Sequence, residues 1–247
     1  MTDDFIHADW PAPAHIHAGT TTRLRGYSNP PYEAFNLARH VGDDGDTVAK
    51  NRARLHQQLT LPAEPIWLDQ VHGREVICAD KPESRTADAA WSASPGQVCT
   101  VLTADCLPLL LCDRDGTCVA AVHVGWRGLV AGVVQAAVQA LPVEPNRLLA
   151  WLGPCIGPAA FEVGADVYAA CEQSLPTTGK ALLDYRPGRW LVNLPALVRH
   201  TLAACGVNDC HTNGLCTHTH AEIFYSHRRD GPTGRMASLI WMDASPV

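Results

Sequence analysis

Apolar positions along the chain fall into short, nearly unbroken runs separated by Gly-, Pro- and Asp-rich turns. The densest runs lie between Val98 and Leu129, which reads V-C-T-V-L-T-A-D-C-L-P-L-L-L-C-D-R-D-G-T-C-V-A-A-V-H-V-G-W-R-G-L. Runs of Val, Leu, Ala and Cys without polar alternation predict strands covered on both faces. Two of them enclose Asp105-Cys106, and a third ends in His123-Val124-Gly125-Trp126-Arg127. Further strands are expected over Thr20–Arg25, Ile66–Gly73, Arg74–Ala79, Leu148–Leu152, Val207–Cys216 and Met236–Met242. Ile66–Gly73 and Arg74–Ala79 would form a hairpin turning at His72-Gly73.

Helical spacing appears over Val48–Leu59, with Asp46 or Thr47 as cap and an end before Pro62. It recurs over Arg127–Leu141, stopped by Pro142, over about Ala165–Ser174, and over Val192–Cys205 with Asn193 as cap and Pro195 in the first turn. Residues 1–18, 26–32, 81–97, 153–158 and 176–190 read as loops or irregular connections. No internal repeat or low-complexity tract is present. Several strands are neighbours in sequence, which favours an α+β fold over a repeated βαβ series. The expectation is a single domain over residues 1–247, with a mixed β-sheet core flanked by helices.

Composition agrees with a packed core: 47% of the 247 residues are apolar and 18% charged. The formal net charge is -6, and Arg228-Arg229 is the longest basic run, which argues against nucleic acid or an anionic membrane as partner. No apolar run approaches the roughly 20 residues needed to span a bilayer. No signal-peptide pattern opens the sequence. A cytoplasmic location is therefore expected. The ten cysteines include no C-x-x-C pair, and several sit inside apolar runs, where a free thiol behaves as a small hydrophobe.

The polar interruptions of the central runs carry the candidate chemistry. A charged or coordinating side chain at the end of a buried strand is costly unless something pairs with it. Cys106 and His123 are accordingly candidate metal ligands, and His72, also at a strand end, would complete a set of three. Catalytic zinc commonly has three protein ligands and one open position, and lowers the pKa of its bound water toward ~7. Buried structural Cys and His residues are the alternative. Copper also suits a His₂Cys set, and the H-x-H pairs His15/His17 and His218/His220 add further histidines. Asn36, Arg39 and His40 crowd beside apolar residues and a Gly42-Asp43-Asp44 turn. Arg127 at a strand-to-helix junction, together with Arg228 and Arg229, could seat a small anion. Arg39 is a further candidate, and two of these four arginines are equally consistent with a surface or structural role.

Three segments, Asp69-Gln70-Val71-His72-Gly73, Thr103-Ala104-Asp105-Cys106-Leu107-Pro108 and Ala121-Val122-His123-Val124-Gly125-Trp126-Arg127-Gly128, resemble the core motifs of the laccase-domain family. Asn36-Leu37 with His40 to Asp44, Gly153 to Gly157 with Phe161-Glu162-Val163, and Cys216-Thr217 with Phe224 to Asp230 and Gly234-Arg235 extend the similarity over nearly the whole chain. Ala38 and His218-Thr219-His220 depart from the pattern locally. The resemblance implies helices outside a mixed β-sheet core, layered α-β-β-α. It also implies one zinc on His72, Cys106 and His123, with copper able to occupy the same site. The implied activities are phosphorolysis of adenosine, inosine, guanosine and methylthioadenosine, and hydrolytic deamination of adenosine. The implied partners are a nucleoside and inorganic phosphate. Oligomeric state stays open, and a monomer is compatible with the sequence. A bacterial branch of the family resembles a peptidoglycan-editing amidase acting on a mischarged muropeptide precursor, and older family labels describe a copper polyphenol oxidase.

On this reading the metal-bound water does the chemistry through Cys106, His72 and His123, with Asn36, Arg39, His40, Arg127, Arg228 and Arg229 as candidates for substrate or phosphate. Asp69, Asp105 and Glu162 are candidate proton shuttles. The zinc-deaminase pattern H-x-E…P-C-x-x-C is absent.

Overall fold

The computed structural model describes residues 4–243. Its strands are β1 (Phe5–His7), β2 (Ile16–Thr21), β3 (Val76–Cys78), β4 (Ala89–Ser92), β5 (Cys99–Thr103), β6 (Leu107–Asp113), β7 (Val119–Val124), β8 (Leu148–Leu152), β9 (Glu162–Val163), β10 (Leu182–Arg186), β11 (Arg189–Val192), β12 (Asp209–Thr212) and β13 (Met236–Met242). The helices are α1 (Gly45–Leu59), α2 (Trp126–Ala131), α3 (Val133–Ala140), α4 (Ala165–Ser174), α5 (Leu194–Ala204) and α6 (His227–Asp230). A six-stranded mixed sheet runs β12-β8-β6-β7-β4-β3, and a four-stranded antiparallel sheet runs β1-β2-β13-β5. A small antiparallel sheet, β10-β11-β9, stands beside them.

Period-two alternation explains how the two larger sheets stack. On β6, Leu107, Leu109 and Leu111 pack with α3 and α5 residues such as Val134, Ala137, Leu197 and Val198. Leu110 and Cys112 on the other face meet Val101 of β5 and Ile240 of β13. The far face of the four-stranded sheet, through Leu102, Leu239 and Trp241, packs on Leu55 of α1 with Phe35 and Leu37. The order is thus helix, sheet, sheet, helices, the expected mixed α/β layering. β6, β7 and β8 are buried at every position because both faces are covered. Each fully buried leucine there stabilises the fold by about 1.5–3 kcal/mol.

Several expected elements differ in ways that matter for the site. The hairpin at His72-Gly73 does not form. Residues 66–73 make one isolated bridge, Ile66 to Cys99, and β3 pairs in parallel with β4. β4 itself lies inside the segment expected to be loop. The helix expected over Arg127–Leu141 divides at Gly132, whose φ of 94° belongs to the left-handed region that glycine tolerates. Asp44, not Asp46 or Thr47, caps α1, its carboxylate accepting from Thr47 N at 2.8 Å. The N-terminal segment holds β1 and β2, so the strand expected over Thr20–Arg25 begins earlier and ends at Thr21. The connection expected to be irregular over 176–190 instead carries β10 and the start of β11, a hairpin whose apolar Leu183 and Tyr185 are exposed to solvent. All ten cysteines carry free thiols.

Candidate metal centre and adjoining cavity

Strand register brings the site together. β7 is antiparallel to both β6 and β4, so its C-terminal end lies beside their N-terminal ends. Leu107 pairs with Val124, which sets Cys106 against Gly125. Ala89 pairs with Val122, which sets Asp88 against His123, and His123 N donates to Asp88 O at 2.7 Å.

Asp88 organises the centre. Its carboxylate is fully buried. It accepts from the backbone N–H groups of Val71 at 3.3 Å, His72 at 3.0 Å and Gly73 at 2.6 Å, and pairs with His123 Nδ1 at 2.8 Å. One carboxylate therefore fixes the turn that carries His72, where φ is 59°, and the orientation of the second imidazole. The bond to Nδ1 leaves His123 Nε2 as the nitrogen available to a ligand, the usual arrangement of a metal-binding histidine. Cys106 Sγ lies 3.9 Å from His72 Nε2, and the two imidazole rings are 4.7 Å apart, edge to face. The three donor atoms lie within 4.8 Å of one another.

Two imidazole nitrogens and a thiolate form a donor set suited to zinc or copper. No fourth His, Cys, Asp or Glu among the described residues joins the group, so the set has the composition of an open site rather than of a closed structural one. Gly125 is part of the fit. A Cβ there would stand 2.9 Å from His72 Cδ2 and 3.1 Å from Cys106 Sγ. Burial opposes ionisation of Cys106, but His123 and His72 more than offset it and hold the thiol pKa well below its ordinary value. Burial also opposes the charged form of His123, yet Cys106 and Asp88 raise its pKa.

A cavity of about 190 Å³ opens beside the centre, lined among others by His72, Cys106, Trp126, Arg127, Phe161 and His227. A wider, open cleft of about 740 Å³ adjoins it, and Arg228 lines both.

Residues 17–243 match the family model described as multi-copper polyphenol oxidoreductase laccase. The chain belongs to that laccase family. A relative named purine nucleoside phosphorylase PA4543, from Pseudomonas aeruginosa, is 49% identical over 96% of this chain and 98% of its own. Purine nucleoside phosphorylase YfiH from Escherichia coli is 46% identical over the same shares. The crystal structure of Neisseria meningitidis protein NMB0706 superposes with a TM-score of 0.94 at 43% identity, covering 98% of this chain and 100% of that one. YlmD from Geobacillus stearothermophilus gives a TM-score of 0.92 at 28% identity, covering 99% and 98%.

Within this laccase-family fold the other residues singled out in the sequence separate into two groups. Arg127 is exposed at the cavity, its guanidinium 4.4 Å from the Trp126 ring. Arg228 stands over Phe161 and donates through Nη1 to the carbonyl of Glu162 at 2.8 Å. Arg229 instead donates to the carbonyls of Thr217, His218 and Phe224, each at 2.8–2.9 Å, and ties the C-terminal motif together. Asn36 is fully buried. Its amide donates to Ala38 O and Asp43, and its oxygen accepts from Ala38 N and Arg235 N. Neither Arg229 nor Asn36 lines the cavity. Arg39 and His40 are exposed and stand outside the lining. Partial desolvation of its ring and the charges of Arg235 and Arg52 lower the His40 pKa.

The three candidate shuttles are likewise placed elsewhere or already engaged. Asp105, with φ 90°, accepts from Thr217 Oγ1 at 2.7 Å and from Arg228 N at 2.6 Å. Asp69 is exposed outside the lining, and Glu162 pairs with Arg186 at 2.6 Å in the wider cleft. The two H-x-H pairs are dispersed: His15 bonds Gly116 O, His17 pairs with Asp243, and His220 pairs with Glu222.

Sequence reading missed Asp88 and His227. Thr86-Ala87-Asp88-Ala89 carries the same signal as Thr103-Ala104-Asp105, an acid in an apolar setting, but lay in a segment taken as loop. His227 donates through Nδ1 to Gly231 O at 2.8 Å, which fixes its tautomer and leaves Nε2 as the free nitrogen of a side chain lining the cavity.

Proposed function

We propose that the chain is a purine nucleoside phosphorylase acting on adenosine, inosine, guanosine and methylthioadenosine, with hydrolytic deamination of adenosine as a second reaction. The observation that carries this reading is the intact His72–Cys106–His123 group, backed by Asp88 and facing a small cavity. It occurs in a chain 49% identical over 96% of its length to a relative named purine nucleoside phosphorylase. In this reading residues 1–247 act as one domain in the cytoplasm, where unpaired cysteines are the norm. No helix of the described residues is long and apolar enough to cross a membrane.

His72, Cys106 and His123 would hold zinc, which supplies Lewis-acid polarisation of a substrate or water oxygen. The chain's own groups supply the rest. Trp126 and Phe161 offer apolar faces to a purine. Arg127 and Arg228 seat inorganic phosphate beneath the sugar C1′, so that reacting atoms meet in a fixed geometry. In phosphorolysis a phosphate oxygen bonds to C1′ as the bond to the purine nitrogen breaks, and the purine leaves with the proton the phosphate gives up. His227, held in one tautomer by Gly231, accepts a proton at Nε2 during deamination.

Two other readings have an observation in their favour. The His₂Cys donor set and the family's description favour copper and an oxidase. Among the described residues, however, no second cluster of donors stands beside it for the several coppers such enzymes use. The wide cleft sharing Arg228 favours a larger substrate, as a muropeptide-editing amidase would take. Incubating pure protein with adenosine separates these readings. The proposal expects adenine and ribose 1-phosphate only when phosphate is present, inosine without it, and no product from Cys106→Ala. Unchanged turnover in that variant, or phenol oxidation with no nucleoside turnover, would overturn it.

A further inference from the structure

We propose that Cys216 and Cys155 form a peroxide-responsive thiol pair whose disulfide locks the Gly153–Gly157 loop to Cys216-Thr217 behind the metal cavity. Both cysteines belong to motifs that the phosphorylase chemistry leaves without a role.

The backbone sets the pair. Cys155 and Cys216 are direct partners in a parallel bridge, with Cys155 N donating to Leu215 O at 3.4 Å and Thr217 N to Cys155 O at 2.9 Å. Paired extended segments lie about 4.7–4.9 Å apart, within the roughly 4.4–6.8 Å Cα window of disulfides, and partner side chains share a face. Cys216 Sγ accepts the N–H of Gly157 at 3.0 Å. Gly157 leaves room for it, since a Cβ there would stand 3.1 Å from both Cβ and Sγ of Cys216.

The two sulfurs differ in the way a reacting and a resolving thiol must. Cys216 is half-buried beside His218 and Thr219, which line the open cleft, so a small oxidant reaches it. Burial opposes its ionisation, but the Thr219 hydroxyl and the N–H groups of Gly157, Thr219 and His218 more than offset it and lower the thiol pKa. Cys155 is buried, which raises its thiol pKa, so it stays protonated until a partner is presented.

The step uses hydrogen peroxide or another hydroperoxide as oxidant. The Cys216 thiolate attacks a peroxide oxygen. The S–O bond forms, the O–O bond breaks, and the other oxygen leaves as water or alcohol after taking a proton. Rotation about χ1 then brings the Cys216 sulfenic acid away from Gly157 N–H. Cys155 sulfur attacks it, the S–S bond forms, and the oxygen departs as water with the Cys155 proton. The two thiols lose two electrons, and the peroxide gains them.

The pair is wired to the site by its immediate neighbours. Ile156 N donates to Asp105 O at 2.9 Å, and Thr217 Oγ1 to the Asp105 carboxylate at 2.7 Å. Asp105 precedes Cys106, so a shift of either segment moves the strand end that carries the thiolate donor. Closing the disulfide therefore lowers turnover reversibly.

The test treats full-length, zinc-supplemented protein with hydrogen peroxide, alkylates free thiols and maps peptides by mass spectrometry. The expected result is a Cys155–Cys216 cross-linked peptide, with a loss of turnover that dithiothreitol reverses. Cys216→Ser should give no cross-link and no reversible loss, and Cys155→Ala should leave a sulfenic acid on Cys216 that dimedone captures. Equal alkylation of both cysteines with and without peroxide would overturn the proposal. So would the absence of a dimedone adduct on Cys216 in Cys155→Ala, a cross-link without any loss of turnover, or a reversible loss that persists in Cys216→Ser. The turnover arm rests on the phosphorylase reading, whereas the cross-link is read by mass alone. Failure of that reading would therefore show as absent turnover before any peroxide is added.

Discussion

Replacing Asp88 by asparagine tests the account at its most connected point. The carboxylate serves four donors, three backbone N–H groups and His123 Nδ1, with no exposure to water. An amide has one accepting oxygen. If that oxygen faces His123 and the His72 amide, the new NH₂ points at the N–H groups of Gly73 and Val71, and two donors lose their acceptor. Hydrogen bonds to a charged group contribute roughly 1.5–3 kcal/mol each. The Val71 bond is long at 3.3 Å and the Gly73 bond short at 2.6 Å. The loss is therefore about 3 kcal/mol, within the range for such bonds. For a chain this size about 2–4 °C accompanies each kcal/mol, so Tm falls by roughly 6–12 °C. If the amide flips instead, its nitrogen donates to His123 Nδ1 and forces the proton to Nε2, the nitrogen a metal needs. Either orientation lowers metal affinity by about 10–100-fold, the usual cost of losing an outer-shell partner. Thermal unfolding by circular dichroism and zinc competition with a chromophoric chelator read the two effects. A variant that melts with the wild type and holds zinc as tightly would refute the assignment of Asp88 as the organiser of the centre.

Other positions give separable outcomes. Gly125→Ala keeps an allowed backbone, with φ -81°, but drives a methyl to 2.9 Å from His72 Cδ2. Zinc affinity should fall at least about tenfold with little change in Tm, by the same competition assay. Arg229→Ala removes three carbonyl contacts and should lower Tm, whereas Arg127→Ala should raise KM for phosphate with Tm unchanged. Asp113 supplies the pH dependence. Burial opposes its ionisation, but the N–H groups of Cys118, Thr117 and Asp115 more than offset it and depress its pKa. A depressed carboxyl pKa contributes stability that is complete above the unfolded value near 3.8 and is lost as pH falls through the folded value. Asp113→Asn should therefore melt lower at neutral pH and show a flatter acid limb in a Tm-against-pH series.

The sequence made the centre visible because Cys106 and His123 interrupt runs that could otherwise only be core. Asp88 escaped because β4 is short and alanine-rich and its pairing with β3 and β7 is long-range, so residues 81–97 read as loop and the acid in its apolar setting was passed over. The turn at His72 looked like a hairpin for the same reason. Its Gly-containing sequence is turn-like, but a buried carboxylate 15–17 residues away fixes it, not a partner strand. Asn36 and Arg229 resembled ligand-binding residues because a buried polar side chain that holds loops and one that holds substrate look alike in sequence. Only their hydrogen-bond partners separate them. The β10–β11 hairpin was missed because its strands are short and Asp184, Arg186, Pro187 and Gly188 give the segment a loop composition, while its apolar Leu183 and Tyr185 face solvent rather than the core.

If one metal on His72, Cys106 and His123 makes the adjoining cavity catalytic, activity must follow its occupancy. A titration of metal-stripped protein with zinc, following adenosine phosphorolysis alongside bound metal, reads this. Turnover should rise in proportion to bound zinc and level at one equivalent per chain, with no rise in Cys106→Ala. Full turnover in the stripped protein, or activity that needs several equivalents, would contradict it.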